Sequence, residues 1–416
     1  MIDTAAVRRH FPGLSRIVDG RPLVLFDGPA GTQTPRECNL AIVEYLERSN
    51  ANSPHGAPFR LAPASRETAE VIRDARAGVA DLLGADDPGE ITFGASMTAL
   101  TFAMSRRLLA GLEPGDEIVV SPLDHAANIA PWELAAAERG AVIRRITPSL
   151  PDCTVFPEAV AASLGPRTRL VAIGLASNAV GTLLSHERVA QIAHAVHRAG
   201  ALLWVDAVHA APHVPIDVRA LDADFVACSA YKIYAPHVGI LWGRRAALEG
   251  LPLQAIGWPS SELSGRFETG TLPHELLAGL LGTLGYLESL GPPDGERRVR
   301  LREALGAIRA HESALGQRLL AGLTGLGCDV RGITEPGRIA ERCPTFGFTV
   351  AGHRPAQVVD ALLARGIVTW SGQFACDELM RSLGVDDQGL VRAGIAHYTT
   401  VDEVDALLDG VRSIVR

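Results

Sequence analysis

The sequence has almost no lysine. Of its 39 Lys and Arg residues, 38 are arginine and one is lysine, Lys232. Arginine replaces lysine in salt bridges and at the surface, but its guanidinium stays protonated and cannot attack a carbonyl as a primary amine does. A chain that uses arginine for general charge and keeps one amine directs attention to that amine. Other absences exclude whole classes of function. Positive charge is not in excess. A formal net charge of −8 leaves no basic surface for the many phosphate contacts of nucleic-acid binding. No apolar run approaches the roughly 18 residues that span a bilayer. The opening MIDTAAVRRHFPGL lacks the apolar stretch of a signal peptide. Cysteine is sparse: six residues, at 38, 153, 228, 328, 343 and 376, form no CxxC pair. That usage fits a reduced cytoplasm better than a disulfide framework. What is present supports a packed core, with 47% hydrophobic residues over 416 positions. The length implies two domains rather than one simple core.

From about 65 to 245 the patterning alternates. Helical apolar spacing covers 66–83, 131–139 and 186–199. Short β-branched runs lie at 117–121, 141–146, 169–177, 201–209, 224–230 and 239–243. Continuous apolar strands alternating with helices predict a mostly parallel sheet buried on both faces. Ligands of such sheets bind at the carboxyl ends of the strands. Gly, Pro and Ser cluster at 250–274, which reads as a long functional loop. A helical pattern follows at 299–325. The tail returns to α+β, with strands at 346–350, 367–370 and 390–396, a helix at 355–365, and a last helix whose Thr400 and Glu403 have capping-box spacing. The expected division is a large domain over 20–290 and a small one formed by 1–19 with 291–416.

Lys232 stands in CSAYKIYAPHVG, just past a predicted strand, and LLWVDAVHAAPH places Asp206 and His209 at the end of another. Both loops are expected on the same sheet edge. A Schiff-base lysine with an acid near it is the logic of pyridoxal phosphate catalysis, in which the acid keeps the pyridine nitrogen protonated. Taken alone, Asp206 reads equally as a loop or cap residue. ITFGASMTALTFAMS reads as strand, small-residue turn and helix. Its helix start, with the hydroxyls of Ser96 and Thr98, suits a phosphate, although the same pattern serves an ordinary N-cap. Ser229 can add a phosphate contact. In SPLDHAANIAPW, His125 can lie flat on a cofactor ring and Asn128 can face the site; in SNAVGT, Asn178 can donate to a ring hydroxyl.

In order and spacing these segments resemble the class V aminotransferase group of fold-type I pyridoxal phosphate enzymes, most closely its cysteine-desulfurase-like branch. The resemblance runs from FDGPAGTQTP (26–35) to VRAGIAHY (391–398), and the interval of 26 residues from Asp206 to Lys232 fits the group. It implies an α/β fold with a mostly parallel large domain and a smaller α+β C-terminal domain. It also implies pyridoxal 5'-phosphate as cofactor. Residue by residue, it implies Lys232 as the Schiff-base lysine and proton shuttle, Asp206 on the pyridine nitrogen and His125 stacked on the ring. Asn178 and His209 would flank the 3-hydroxyl side. Ser96, Met97, Thr98 and Ser229 would hold the phosphate, and Tyr231 would contact phosphate or substrate. Arg392 would bind the substrate carboxylate. Thr271, in RFETGT, would reach the partner subunit's phosphate in a homodimer with a shared site.

The sequence departs from desulfurases where sulfur is relayed. The family's mobile cysteine lies three residues after a glycine in a Gly-His-His-Cys loop. Here the loop is WSGQFACDELM, with Gln373 and Phe374 for the histidines, Ala375 at the cysteine's place and Cys376 one residue later. With Leu379 and Met380 following, Cys376 reads as a small apolar residue at a helix start. Ala126 replaces a second histidine, and Tyr231 replaces the histidine before the lysine. The expected function is cleavage of a C–S bond in a cysteine-derived L-amino acid after Cα deprotonation, by a cytoplasmic enzyme with no nucleic-acid or membrane partner. The rival within the class is an aminotransferase, epimerase or decarboxylating enzyme acting on a larger amino acid in specialised metabolism. The rival outside it is a non-enzymatic binding protein on the same fold. His194 and His197 lie one turn apart without a third ligand, so no metal site is expected. No GxSxG elbow or GxGxxG turn points to a hydrolase or a dinucleotide site.

Overall fold

The computed structural model describes residues 2–52, 62–150, 152–252 and 263–415. The β-branched runs of the first half form seven strands: β1 (Ile91–Gly94), β2 (Glu117–Val120), β3 (Val142–Arg145), β4 (Thr168–Gly174), β5 (Leu202–Asp206), β6 (Phe225–Ser229) and β7 (Gly239–Gly243). They make one sheet in the order β1-β7-β6-β5-β4-β2-β3. The strands from β3 through β6 pair in parallel. β7 runs antiparallel to both β6 and β1. The link from β6 to β7 is too short to carry the crossover helix that a parallel return requires. β6 and β7 are buried at every residue, because helices cover both faces.

The expected helices appear as α2 (Pro63–Leu83), α4 (Ala130–Arg139), α5 (His186–Arg198) and α7 (Arg297–Gly325), and the phosphate-loop helix as α3 (Met97–Leu108). Two others are α1 (Arg36–Arg48) and α6 (His274–Ser289), and of these α6 carries no readable stripe. HELLAGLLGTLGYLES is apolar on nearly every side, and α6 is enclosed by α1, α2 and α7, so its burial erases the amphipathic period. In the second half, β8 (Asp329–Val330), β9 (Thr345–Thr349), β10 (Trp370–Gly372) and β11 (Leu390–Gly394) form an antiparallel sheet ordered β8-β9-β11-β10. The expected strand at 367–370 is split: Ile367–Val368 pairs in parallel with Val24–Leu25, and β10 begins at Trp370. After α8 (Asp377–Ser382) the chain ends in α9 (Val401–Val415). The capping box of α9 is made in both directions, Glu403 N–H to Thr400 Oγ1 at 3.1 Å and Thr400 N–H to Glu403 Oε2 at 2.9 Å.

Val7, Phe11 and Leu14 pack into the core of the large sheet. Phe26 joins the core that α7 and α9 form with the antiparallel sheet. α7 serves both, with Leu301, Leu305 and Ile308 in the first and Leu315, Leu319 and Leu323 in the second. Among the described residues no helix is long and apolar enough to cross a membrane. The expected loop at 250–274 lies partly outside the described residues. The carboxyl ends of β2, β4, β5 and β6 open on one edge, beside β10 and β11, and this edge holds the site.

Candidate active site

Lys232 ends a single 3-10 turn, Ala230–Lys232, that follows β6 directly. The turn carries its side chain into a cavity of about 460 Å³. The Nζ donates to the Pro29 carbonyl and lies 5.0 Å from the centre of the Tyr231 ring. Burial and the nearby Arg392 bring its pKa from 10.5 down to about 7, against the opposite pull of Asp206. About half of the amine is therefore uncharged and nucleophilic at neutral pH.

Asp206 closes β5, and its Oδ1 accepts from Val208 N–H at 2.9 Å. Burial raises its pKa to about 6, while the backbone hydrogen bond and Lys232 pull it down. A cationic ring nitrogen beside such a carboxylate would hold it ionised. His125 opens the turn Ala126–Asn128, and its Nδ1 accepts from Ala127 N–H at 3.0 Å. Burial, Lys232 and Arg392 lower its pKa. A neutral imidazole with one nitrogen committed to the backbone is suited to lie flat against a ring. His209 is also kept neutral, chiefly by burial, and its Nε2 pairs with Thr345 Oγ1 at 3.0 Å.

The opposite end of the cavity is lined by Ser96, Met97, Thr98 and Ser229. Ser96 caps α3 by accepting from Ala99 N–H at 3.1 Å. The first turn of a helix leaves backbone N–H groups free for an anion. β7 passes so close beneath that a Cβ on Gly239 would stand 2.3 Å from the Ser96 carbonyl carbon and 2.7 Å from Met97 N. Only glycine permits this approach. Gly239→Ala is expected to displace the helix start and weaken retention of a phosphate-bearing cofactor by tenfold or more, about the effect of one charge-assisted hydrogen bond. Equilibrium dialysis of the folded variant measures this, and undiminished retention would dismiss the cradle.

Arg392, on β11, lies buried on the other wall. Its Nη1 donates to the Asn178 carbonyl at 3.0 Å and its guanidinium sits 4.1 Å from the centre of the Phe374 ring. Burial lowers its pKa to about 10, so it remains a cation at neutral pH. Asn178 lines the cavity with both side-chain ends engaged: Nδ2 donates to the Phe374 carbonyl at 3.0 Å, and Oδ1 accepts from Cys376 Sγ at 2.9 Å. Tyr231 lines the cavity and stacks on His237, with centroids 4.8 Å apart.

Two expected residues stand elsewhere. Asn128 does not face the cavity. It is fully buried, because the turn Ala126–Asn128 rolls it beneath the loop, where its Nδ2 donates to Asp124 Oδ2 at 2.7 Å. Thr271 lines a different cavity, bordered by Phe93, His237 and Phe267, and is not among the residues around Lys232. The residue that Asn128 supports, Asp124, lines the main cavity and went unread beside His125. Its pKa rises to about 8 through burial and then the nearby Asp206, opposed by Asn128. Gly174 makes room for it, since a Cβ there would come 2.8 Å from Asp124 Oδ1. Trp370 and Phe374 also line the wall unforeseen. Both stand in the loop WSGQFACDELM, where Phe374 takes the place of a family histidine.

The Aminotransferase class-V family model matches residues 24–407. A probable cysteine desulfurase of Mycolicibacterium paratuberculosis is 33% identical over all of this chain, which spans 58% of that protein's length. One of Streptomyces coelicolor is 32% identical, with all of this chain and 97% of that protein aligned. The apo structure of a cysteine desulfurase from Thermococcus onnurineus NA1 superposes with a TM-score of 0.87 at 25% identity, covering 100% of this chain and 98% of that one. With a lysine, a strand-end carboxylate and a phosphate cradle in one cavity that fits pyridoxal phosphate, the chain belongs to the class V aminotransferase family of pyridoxal phosphate enzymes.

Proposed function

We propose that this enzyme cleaves the Cβ–S bond of a cysteine-derived L-amino acid and releases the sulfur group instead of storing it as a persulfide. One observation carries the second half of this reading. No cysteine lines the cavity among the described residues. Cys376 is buried with Leu379 and Met380, its thiol bonded to Asn178 Oδ1 and its pKa pushed well up by burial. A thiol so placed is neither ionised nor exposed, and persulfide formation needs both.

The residues divide the work. Lys232 would hold the cofactor, with Asp206 on its ring nitrogen, His125 on its face and the start of α3 with Ser229 on its phosphate. When bound, pyridoxal phosphate draws electrons from the bonds at Cα of an attached amino acid. Arg392 fixes the α-carboxylate through a planar fork of donors. The amine of Lys232, near neutrality in pKa, takes the α-proton and can return a proton to the leaving sulfur. The overall balance is a thioether or thiol amino acid plus water giving the free thiol, pyruvate and ammonia.

Product analysis tests the reading. L-cysteine and S-substituted cysteines are incubated with the enzyme, and alanine, pyruvate and sulfide or thiol are assayed together. Pyruvate and thiol in equal amounts are expected. Alanine with enzyme-bound persulfide would mean sulfur relay, and none of these products would mean a different reaction at Cα. Cys376→Ala is expected to keep most activity in the same assay, whereas complete loss would return the relay to this cysteine. The reading includes a cytoplasmic homodimer. Thr271 supports it: the residue follows Glu268 by three positions, Glu268 is tied to Arg76 at 2.7 Å and to Phe93 N–H of β1, and Thr271 lines a cavity other than that of Lys232.

A further inference from the structure

Aromatic residues are few in this chain, 5% of the sequence. Three of them, Tyr231, Trp370 and Phe374, nevertheless line the cavity that holds Arg392. Trp370 stands directly opposite Arg392 across β10 and β11. Paired residues of neighbouring strands project from the same face, so the indole and the guanidinium leave the sheet side by side. Trp370 keeps 49% of its surface exposed at this rim, a large apolar area that no described residue covers. Phe374 stands on the other flank, its ring over the guanidinium at 4.1 Å.

The position of Phe374 is enforced. Phe374 and Ala375 both have left-handed backbones, with φ of 57° and 54°. Residues other than glycine adopt this conformation in succession only where their surroundings impose it. Here Asn178 Nδ2 holds the Phe374 carbonyl at 3.0 Å, and Ala126 N–H holds the Ala375 carbonyl at 2.7 Å. The one long polar side chain between the two rings, Gln373, also lines the cavity, and its amide is engaged as a donor to the Asp386 carbonyl. The loop therefore brings two rings to the cavity, with the amide between them already bonded to the backbone.

An amino acid's carboxylate and side chain leave the same carbon. A substrate whose carboxylate rests on Arg392 must send its side chain out within a few bonds of that guanidinium, between the rings that flank it. We infer that Phe374 and Trp370 select the substrate: an L-amino acid whose Cβ carries a bulky apolar group, an aryl or aralkyl thioether, in preference to free cysteine. This rests on the reading of Arg392 as the carboxylate site and of C–S cleavage as the reaction.

The experiment uses the cofactor-loaded enzyme with two substrates, S-benzyl-L-cysteine and S-methyl-L-cysteine, and two ligands without a sulfur leaving group, L-phenylalanine and L-alanine. A ring-sized apolar group in a complementary pocket is expected to raise kcat/KM for the benzyl over the methyl thioether by tenfold or more, on the scale of 10–200-fold per well-fitted apolar group. Phe374→Ala and Trp370→Ala should each lower that ratio severalfold, mainly through KM, and Phe374→Leu should restore part of it. Were Phe374 only a support for Arg392, its loss would affect both substrates equally and leave the ratio unchanged, which would overturn the inference. So would equal kcat/KM for the two thioethers in the unaltered enzyme. Calorimetric binding separates the two levels. If L-phenylalanine binds more tightly than L-alanine while no thiol is released from either cysteine derivative, the pocket stands and the C–S reading falls. If L-phenylalanine binds no better than L-alanine, the pocket is wrong whatever the reaction.

Discussion

Lys232→Ala is expected to end catalysis and to abolish the covalent hold on the cofactor. The proton-moving role alone is worth roughly 10²–10⁴-fold in rate, and loss of the covalent link adds to it. Two measurements check this: turnover, and peptide mass after borohydride treatment. Borohydride should fix the cofactor to the unaltered protein on the peptide bearing Lys232. Because Lys232 is the single lysine of 416 residues, no other side chain offers a primary amine for the linkage. A Lys232→Ala protein that still carried a borohydride-fixed cofactor would refute the assignment. The pKa of about 7 adds a pH prediction. Lowering a lysine's pKa enlarges the uncharged fraction at every pH below 10.5. Uptake of pyridoxal phosphate by the cofactor-free protein should therefore rise with pH through a midpoint near 7. A midpoint near 10 would mean that the burial and the Arg392 charge that depress this amine are not felt in solution. In an Arg392→Ala background the midpoint should move upward, since a repelling cation is removed while Asp206 stays.

The elements that carry Lys232, Asp206 and Arg392 were legible because each is, or directly follows, a short apolar run, and a strand buried on both faces leaves that signature. The lysine stood out through composition, a signal independent of structure. Asp124 and Asn128 show where a linear reading stops. Both occur in LDHAAN, and either can face the site; the 3-10 turn after His125 decides that Asp124 lines the cavity while Asn128 supports it from beneath. Turn handedness depends on neighbours distant in the chain, here Ala375, whose carbonyl receives Ala126 N–H at 2.7 Å. Gly174 and Gly239 were unreadable for a related reason. Each is required by what lies across a gap, a carboxylate for one and a helix start for the other. α6 was missed because a helix enclosed on nearly every side loses its period. α7 is one helix with two apolar segments, and no change of composition marks the point where it passes from one core to the other.

Arg392→Ala is expected to raise KM for any α-carboxylate substrate by roughly 10–150-fold, the equivalent of about 1.5–3 kcal/mol for hydrogen bonds to a charged partner. Bound cofactor should persist, because the phosphate cradle, Lys232 and Asp206 come from other strands. The fold should persist as well, for an identifiable reason. The half-buried Asp27 has Arg392 as a nearby positive charge, and burial already raises its pKa. Without the guanidinium, Asp27 can take up a proton and avoid an isolated buried charge. The loop that Arg392 faces keeps its ties to Asn178 Nδ2 and Ala126 N–H. Arg392→Lys separates charge from geometry. A point charge without the planar fork should recover part of the affinity and not all of it. Steady-state kinetics with one substrate, and calorimetry with L-phenylalanine as a ligand that is not cleaved, measure the same loss by two routes. A fall in kcat with KM unchanged would place Arg392 in the chemical step instead of at the carboxylate. Unaltered kinetics in both variants would remove it from the site.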